Sequence, residues 1–179
     1  MSVVIIGTMK GNMVTIGGKT IGNGMSVFII AEAGVNHNGS ISLAKKLIDA
    51  AAKAGADAVK FQTFSPDELV AKSAVKAKYQ KANETGAGES QYAMLKRLML
   101  PREWHAALKQ YAERNGLLFL STPFSLADAK FLRALGVKAL KVGSSDTNNY
   151  PYLRRIAAWG LPIILSTGMA DMKEVREAV

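Results

Sequence analysis

The sequence predicts an α/β protein built on a parallel β-sheet. Along residues 27–179, five apolar β-type stretches each lead into a stretch with helical spacing. This alternation is typical of βαβ units, whose parallel strands are joined by helices. Polar residues follow the strands at their C-terminal ends, where a (β/α)8 barrel carries its chemistry. Because five units cannot close a barrel of eight strands, we expect the N-terminal part of such a barrel. A small doubly wound sheet is the alternative.

A short β-hairpin is predicted ahead of the first unit, in a glycine-rich extension that covers residues 1–26. Two β-type runs flank Gly17-Gly18, and a glycine pair between such runs is a hairpin signal. We expect the hairpin to form a plug or lid at one end of the domain. Residues 1–10 are expected to be disordered, or partly foreign to the native protein.

The first unit has clear start and stop signals for its helix. A strand is predicted over residues 27–33, and the helix begins after Ser40, a residue type that favours the N-cap position. Gly55 is expected to end the helix. The apolar side of the helix is formed by residues at helical spacing, namely Ala44, Leu47, Ile48 and Ala51.

The second strand, predicted over residues 57–62, carries polar and apolar residues in alternation. Successive side chains of a strand point to opposite faces, so Lys60 and Gln62 lie on the face opposite Val59 and Phe61. A buried strand with a lysine and a glutamine on one face needs a polar site on that face.

A long excursion, residues 63–100, separates this strand from the next predicted unit. Ser65-Pro66-Asp67 predicts a turn or a short helix, residues 72–81 are basic, and residues 89–98 have helical spacing. A connection of this length is frequently an active-site loop. A surface decoration without a role in chemistry is the alternative.

The remaining elements complete the five units. Pro101, which suits the first turn of a helix, begins a helix that is expected to end at Asn115-Gly116. The other strands are predicted over residues 117–122, 137–142 and 161–166. The other helices are predicted over residues 125–135, over residues 149–160, and from residue 171 to residue 179.

The composition excludes several classes of function. The chain has 179 residues and no cysteine, which excludes disulfides and thiolate metal sites. The formal net charge is +9, but the basic residues are spread along the chain and aromatic residues make up only 7%, which disfavours nucleic-acid binding. No apolar run approaches the ~20 residues of a membrane span, and no secretory signal is present. A dinucleotide-binding G-x-G-x-x-G and a P-loop are also missing. We expect a soluble, cytoplasmic protein that acts on anionic small molecules.

Five motifs, in order, resemble those of the sialic acid synthase family, which includes N-acetylneuraminate, legionaminate and pseudaminate synthases. Their order and spacing match that family along nearly the whole chain after residue 14, and the excursion is more similar to the N-acetylneuraminate and legionaminate members. The motifs are FIIAEAGVNHNGS (28–40), ADAVKFQTFSPDELV (56–70), FLSTPF (119–124), KVGSSDTNNYPYL (141–153) and ILSTGMA (164–170).

The resemblance implies a fold and a reaction. It implies a (β/α)8 barrel, of which residues 27–179 are the N-terminal portion, followed by a half-barrel and a small antifreeze-like domain that are absent from this sequence. The implied reaction condenses phosphoenolpyruvate with N-acetylmannosamine or a related 2-acetamido sugar, giving a nine-carbon keto sugar acid and phosphate. The resemblance further implies a homodimer and a divalent metal, Mn2+ or Mg2+.

Phosphoenolpyruvate carries a phosphate and a carboxylate, so its site needs fixed cations and hydroxyl donors. Residues of this sequence match the family's motif positions for both roles. The residues implied to act in catalysis are Glu32, Lys60 and Lys141. The residues implied to bind substrate are Gln62, Thr122, Ser144, Asp146 and Ser166. Asp146 departs from the glutamate common in related sequences, which puts its contact with the sugar in doubt.

Structural roles are the alternatives for these residues. Either lysine could be a solvated surface side chain, the hydroxyls could cap local turns, and Glu32 could form a structural pair with Lys60. The two histidines are also weighed as structural. His37 is explained more simply by a turn that starts the first helix than by catalysis, and His105 lies within a helix beside Trp104. Neither pairs with a second ligand at metal-binding spacing, so the metal ligands are expected outside this chain.

Two functions therefore remain open. In the first, the intact protein is a sialic-acid-type synthase, and these 179 residues alone are inactive. In the second, the chain is an anion-binding or assembly module derived from that family, or another phosphoenolpyruvate-dependent aldose condensing enzyme. An open half-barrel exposes strand edges, which can pair with another chain.

Overall fold

The computed structural model describes residues 3–6, 13–71 and 90–179. The basic segment predicted over residues 72–81 and the loop that follows it lie outside the described residues. The strands are β1 (Val3–Ile6), β2 (Val14–Ile16), β3 (Lys19–Ile21), β4 (Ile30–Gly34), β5 (Ala58–Thr63), β6 (Leu118–Pro123), β7 (Leu140–Val142) and β8 (Ile163–Ser166). The helices are α1 (Ile41–Lys53), α2 (Pro66–Leu69), α3 (Gln91–Leu98), α4 (Arg102–Arg114), α5 (Leu126–Ala134), α6 (Tyr150–Ala157) and α7 (Met172–Ala178), with a 3₁₀ turn over Ser144–Asp146.

The strands of the five units lie in the order β4-β5-β6-β7-β8. Parallel backbone pairing joins β4 to β5 and β5 to β6, and places Lys60 between Glu32 and Leu120. β7 and β8 also pair in parallel, with Lys141 opposite Ile164. β6 packs beside β7, although no ladder of backbone hydrogen bonds joins these two among the described residues. The predicted succession of parallel strand–helix units is therefore confirmed.

The helices begin where the sequence signals indicate. The Ser40 side chain accepts a hydrogen bond from the Leu43 amide at 3.3 Å and caps α1. Asp171 caps α7 through a reciprocal capping box with Glu174. Pro101 differs slightly from its prediction, because it occupies the N-cap of α4 and Arg102 is the first helical residue.

Three strands begin later along the chain than the sequence predicts. β4 begins at Ile30 instead of residue 27, β7 at Leu140 instead of residue 137, and β8 at Ile163 instead of residue 161. Val137 and Ala139 are nevertheless buried. Their apolar character reflects burial in the turn after α5, which hydrophobicity cannot distinguish from a strand.

Apolar side chains pack on both faces of the strands. Val59 and Phe61 belong to the larger core, between the strands and the helices. Ala58 and Leu120 belong to a smaller core on the other face, where they meet Ile16 of the hairpin. The helices therefore cover one face, and the hairpin covers part of the other.

The predicted hairpin is confirmed as β2 and β3, joined by Gly17-Gly18. Gly17 has a φ of +56°, and a Cβ on it would lie 2.5 Å from a methyl carbon of Leu118. The turn thus packs against the Leu118 side chain of β6, and its positive φ favours glycine at this position. Lys19 forms an ion pair with Asp57, whose other oxygen accepts a hydrogen bond from the Ile29 amide at 2.6 Å. The hairpin is fixed to the start of β5 by these contacts.

The extreme N-terminus contains a strand that was not predicted. β1 pairs antiparallel with β8, and Ile5 lies opposite Ile164. The expectation of disorder over residues 1–10 is therefore wrong for Val3–Ile6. β-branched residues favour the extended backbone, and the outer edge of β8 offers hydrogen-bonding groups that β1 satisfies.

Candidate functional site

The candidate site is assembled from polar residues on five neighbouring strands. Each strand contributes one polar residue: Glu32 from β4, Lys60 from β5, Thr122 from β6, Lys141 from β7 and Ser166 from β8. All five take part in direct contacts, which join Lys60 to Glu32 and to Thr122, and Lys141 to Ser166. The structure therefore brings these five predicted residues together in two groups of contacts, and both lysines line one cavity.

Lys60 is held in place by two neighbouring strands. Its ammonium forms an ion pair with the Glu32 carboxylate and donates a hydrogen bond to Thr122 Oγ1 at 3.3 Å. Lys60 is 9% exposed, whereas the Glu32 side chain is 50% exposed. Desolvation makes a buried ammonium costly unless it is paired, and the Glu32 carboxylate supplies that partner.

The strand β4 changes register directly after Glu32, which aims its carboxylate at Lys60. The pairing with β5 shifts between Glu32 and Gly34. Gly34 has a φ of +53°, and a Cβ there would lie 3.1 Å from Glu32 Oε1 and 3.7 Å from Gln62 Nε2. Irregularities of this kind commonly redirect a side chain at an active site. Gly34 is a site residue that sequence reasoning missed, although its place after an apolar strand and before a polar loop was a signal.

Lys141 has a different environment. Its ammonium donates hydrogen bonds to the Val142 carbonyl oxygen at 2.8 Å and to Ser166 Oγ. Burial, followed by the positive charge of Lys60, lowers the pKa of Lys141 to about 8, and Glu32 opposes this shift. No carboxylate of the described residues forms an ion pair with Lys141. The site thus holds one paired and one unpaired lysine.

Both lysines and Glu32 line one cavity of about 490 Å³. The rest of its wall is mostly apolar and comes from β1, the hairpin, the segment before β4, and β8. A volume of this size accommodates a small organic anion. The cavity therefore combines two cations, one carboxylate and an apolar wall, as expected for binding a small anion that carries a carbon chain.

Thr147 is a second residue that sequence reasoning did not single out. Its buried hydroxyl lies 2.8 Å from the Ser166 carbonyl oxygen and 3.2 Å from the Ser144 carbonyl oxygen. These contacts fix the turn after β7 to the end of β8. The hydroxyl-rich stretch Ser144–Thr147 was the available signal, but only the fold shows which hydroxyl supports the site.

Asp146 is not brought to the lysines. Its carboxylate accepts a hydrogen bond from Asn149 Nδ2 at 3.2 Å, and it lines a separate cavity of about 310 Å³ with Ser125, Tyr152 and Arg155. Asp146 is therefore predicted to contact a substrate only where that substrate extends beyond the lysine cavity. The backbone of Ser144 contributes to the turn described above, whereas Gln62 lies partly buried two residues after Lys60.

Both histidines lie on the helical side of the strands and line none of the site cavity. His105 is buried, and its Nδ1 lies 3.0 Å from the Pro101 carbonyl oxygen, so it is the Nδ1–H that donates. Nε2 then accepts from the Thr63 hydroxyl at 2.9 Å. His37 Nδ1 accepts a hydrogen bond from the Gly39 amide at 3.1 Å, which leaves the hydrogen on Nε2. These contacts support the structural interpretation of both residues.

The described residues do not fit a metal site. Among residues 3–6, 13–71 and 90–179, no group of three His, Cys, Asp or Glu side chains is arranged to hold an ion. None of the helices in this part of the chain combines the length and the apolar character needed to cross a membrane.

A family model and the curated relatives assign this chain to the same family. The family model described as the NeuB family matches residues 47–179. The N,N'-diacetyllegionaminic acid synthase of Legionella pneumophila is 52% identical over 161 residues, which cover 90% of this chain and 45% of the relative. This chain therefore spans about half the length of the curated relatives that it matches.

Solved structures agree in fold. A sialic acid synthetase from Leptospira borgpetersenii, in complex with citrate, superimposes with a TM-score of 0.77 and 34% identity, over 93% of this chain and 53% of that one. A truncated 3-deoxy-D-arabino-heptulosonate 7-phosphate synthase from Thermotoga maritima superimposes with a TM-score of 0.62 at 13% identity, over 93% and 49% of the two chains. The second similarity concerns the fold alone.

Proposed function

Since this chain belongs to the NeuB family, we propose that it forms the first five strand–helix units of a (β/α)8 synthase barrel. In this proposal, residues 1–26 are an extension with a hairpin plug, and residues 27–179 are the N-terminal portion of the barrel. The remaining half-barrel and an antifreeze-like domain belong to the intact protein. The observation that carries the proposal is the meeting of Lys60 and Lys141, from two strands of the sheet, in one cavity.

The proposed reaction condenses phosphoenolpyruvate with N-acetylmannosamine or a related 2-acetamido sugar. The products are a nine-carbon keto sugar acid and inorganic phosphate. The names of the similar proteins, which are synthases of legionaminic and sialic acids, support this class of carbon–carbon bond formation. The cavity supports it too, because its two lysines suit the two anionic groups of phosphoenolpyruvate.

Each residue of the site has a proposed role. The ammonium groups of Lys60 and Lys141 bind the phosphate and the carboxylate of phosphoenolpyruvate. The hydroxyls of Thr122, Ser144 and Ser166 donate hydrogen bonds to the same two anionic groups of the ligand. Glu32 acts as a general acid or base next to the reacting carbons, because its half-exposed carboxylate lines the cavity. The sugar is proposed to contact Gln62 and Asp146.

The family implies a divalent ion, Mn2+ or Mg2+, as the activator of the sugar aldehyde. Because the described residues do not fit such an ion, we derive no step through it, and we propose that its ligands belong to the rest of the intact protein. The isolated 179-residue chain is accordingly proposed to bind phosphoenolpyruvate without turning it over. Cytoplasmic location, a homodimer, and the absence of nucleic-acid and membrane partners remain predictions.

The experiment measures binding and turnover separately. Calorimetry of the 179-residue chain with phosphoenolpyruvate should give binding that weakens with salt, and Lys60→Ala with Lys141→Ala should abolish it. Lys138→Ala is the matched control, since Lys138 is exposed near the start of β7. Phosphate release with N-acetylmannosamine and Mn2+ should occur only with a longer protein that includes the second half-barrel. A longer protein that releases no phosphate with any 2-acetamido sugar would refute the synthase proposal.

A second function keeps the same cavity but not the chemistry. As an anion-binding or assembly module, the chain would bind phosphoenolpyruvate and never turn it over, even in a longer protein. Another phosphoenolpyruvate-dependent aldose condensing enzyme would instead release phosphate with an aldose that lacks the 2-acetamido group. The same assay, run with both kinds of sugar, separates these functions.

A further inference from the structure

Lys141 has the surroundings of a nucleophilic amine. Its Nζ contacts two neutral acceptors, the Val142 carbonyl and the Ser166 hydroxyl, and no carboxylate of the described residues pairs with it. Lys60, in contrast, forms an ion pair with Glu32. Of the two lysines in the cavity, Lys141 is therefore the one whose positive charge is least stabilised.

Lys60 supplies a second cation to the same cavity. The two lysines lie on β5 and β7, separated only by β6, and both line the 490 Å³ space. A neighbouring positive charge disfavours a second ammonium and so favours the free amine. Partial desolvation of Lys141 acts in the same direction. A lysine that lies in a partly buried pocket beside another cation is an arrangement that activates amines in enzymes.

The cavity also fits a small keto acid. Lys60 can hold its carboxylate, the Ser166 hydroxyl lies beside Lys141, and Ile5, Ile30 and Ile164 offer an apolar wall for its carbon chain. A three-carbon 2-keto acid is small for a cavity of about 490 Å³ that Lys141 lines.

We propose that Lys141 forms a covalent imine with small 2-keto acids, whose carboxylate is held by Lys60. The Nζ lone pair forms the C–N bond while the carbonyl π pair moves to oxygen, which takes up a proton. The resulting carbinolamine loses its hydroxyl group as water after a second protonation, and the nitrogen lone pair forms the C=N bond. One proton leaves the nitrogen in the process, so the sum is amine plus keto acid plus one proton, giving an iminium ion and water.

The lowered pKa of Lys141, about 8, is consistent with this reactivity. At pH 7 about a tenth of such an amine is neutral, compared with well under a hundredth for an ordinary lysine. The same group remains largely charged at that pH, so imine formation and anion binding can both use it. The imine and a bound phosphate would occupy the same cavity, and we therefore expect keto acids and phosphate to compete for the site.

The test traps the imine chemically. The chain is incubated with pyruvate and cyanoborohydride, which reduces the C=N bond to a stable secondary amine, and the modified lysine is located by peptide mass spectrometry. We expect Lys141 to be modified about tenfold faster than the exposed Lys138 at pH 7. The rate of labelling at Lys141 should rise with pH and level off above its pKa of about 8, and inorganic phosphate should slow labelling at Lys141 only.

Two variants distinguish the nucleophile, Lys141, from the residue that holds the carboxylate, Lys60. Lys141→Arg keeps the cation and should lose the adduct while it still binds inorganic phosphate, and Lys60→Gln should slow labelling of Lys141. Equal labelling of Lys141 and Lys138 in the unaltered chain would overturn the proposal, and that result needs no variant to fold. The outcome is independent of the synthase assay, because trapping requires neither the sugar nor a longer protein.

Discussion

The ammonium of Lys60 lies against the carboxylate of Glu32, and the backbone register of two parallel strands places these residues opposite each other. The pair is asymmetric, because Lys60 is buried while half of the Glu32 side chain reaches solvent. Glu32 therefore offers a carboxylate to a ligand in the cavity and at the same time compensates the buried cation. This double role gives the first prediction.

Glu32→Gln should separate the structural from the catalytic role of the carboxylate. Without the carboxylate, Lys60 is free to pair with an anion, so we expect phosphoenolpyruvate to bind the chain about threefold to tenfold more tightly. In a longer, active protein the same variant should lose about a hundredfold or more in turnover, because proton transfer is lost. Calorimetry and phosphate release measure the two effects, with Glu103→Gln on the surface of α4 as the control. Weaker binding together with a less stable fold would show that Glu32 serves only as the partner of Lys60.

Gly34→Ala should displace the Glu32 carboxylate in addition to straining the backbone at residue 34. An alanine at a positive φ costs about 1–2 kcal/mol, and here its Cβ would also approach Glu32 Oε1. Gly55→Ala is a matched control, because Gly55 has a φ of +74° and open space around its Cβ position. We expect a larger loss of unfolding free energy for Gly34→Ala by urea denaturation, and weaker phosphoenolpyruvate binding for that variant alone. Equal effects of the two substitutions would exclude a role for the contact with Glu32.

The two buried histidines predict a loss of stability in mild acid. Burial is the main cause that lowers the pKa of both His37 and His105 below their ordinary value. The unfolded chain then binds more protons than the folded chain as the pH falls below about 6.5, so the free energy of unfolding decreases by up to about 1.4 kcal/mol per pH unit for each histidine. Urea denaturation between about pH 5 and pH 7.5 measures this slope before most carboxylates titrate.

His37→Gln supplies the control for that experiment. The variant removes one titrating group and should reduce the slope by about half, while His105 continues to contribute. A slope that is the same in both proteins would contradict the assignment of the titration to His37. A stability that rises as the pH falls through this window would contradict it for both residues.

The pairing of β1 with β8 predicts a specific cross-link. Because the chain has no cysteine, Ile5→Cys with Ile164→Cys introduces a single pair at opposing positions of an antiparallel ladder. The Cα atoms of such pairs lie about 4.5–5.5 Å apart, within the range of about 4.4–6.8 Å that disulfides span, so mild oxidation should close an intramolecular disulfide. Val14→Cys with Ile21→Cys, an opposing pair of the hairpin, is the positive control. Non-reducing electrophoresis reports the result, and cross-linking of the control pair alone would show that β1 does not occupy this edge.

Much of the fold could be predicted from local signals. Ser40, Gly55 and Asp171 mark helix ends through capping and turn chemistry, and the structure has those helices at the expected places. The alternation around Lys60 predicted which face of β5 is polar, because side-chain direction in a strand depends only on position. The strand starts at residues 27, 137 and 161 were wrong. Val137 is buried in a turn, and burial outside a strand produces the same apolar signal as burial within it. Val27 is apolar although it is exposed, so hydrophobicity alone did not mark the start of β4.

The sequence by itself determined the order of strands and helices, the polar face of β5 and the family to which the chain belongs, because these depend on residue type and spacing. Only the tertiary structure decided which polar residues meet. Lys60 and Lys141 are far apart in the chain, but they share a cavity because only β6 separates their strands. Asp146, only five residues after Lys141, lines another cavity. The tertiary structure also decided that Lys60 is paired with a carboxylate and Lys141 is not. That difference depends on the register of β4 against β5 and on burial, and the spacing of residues along the chain contains neither.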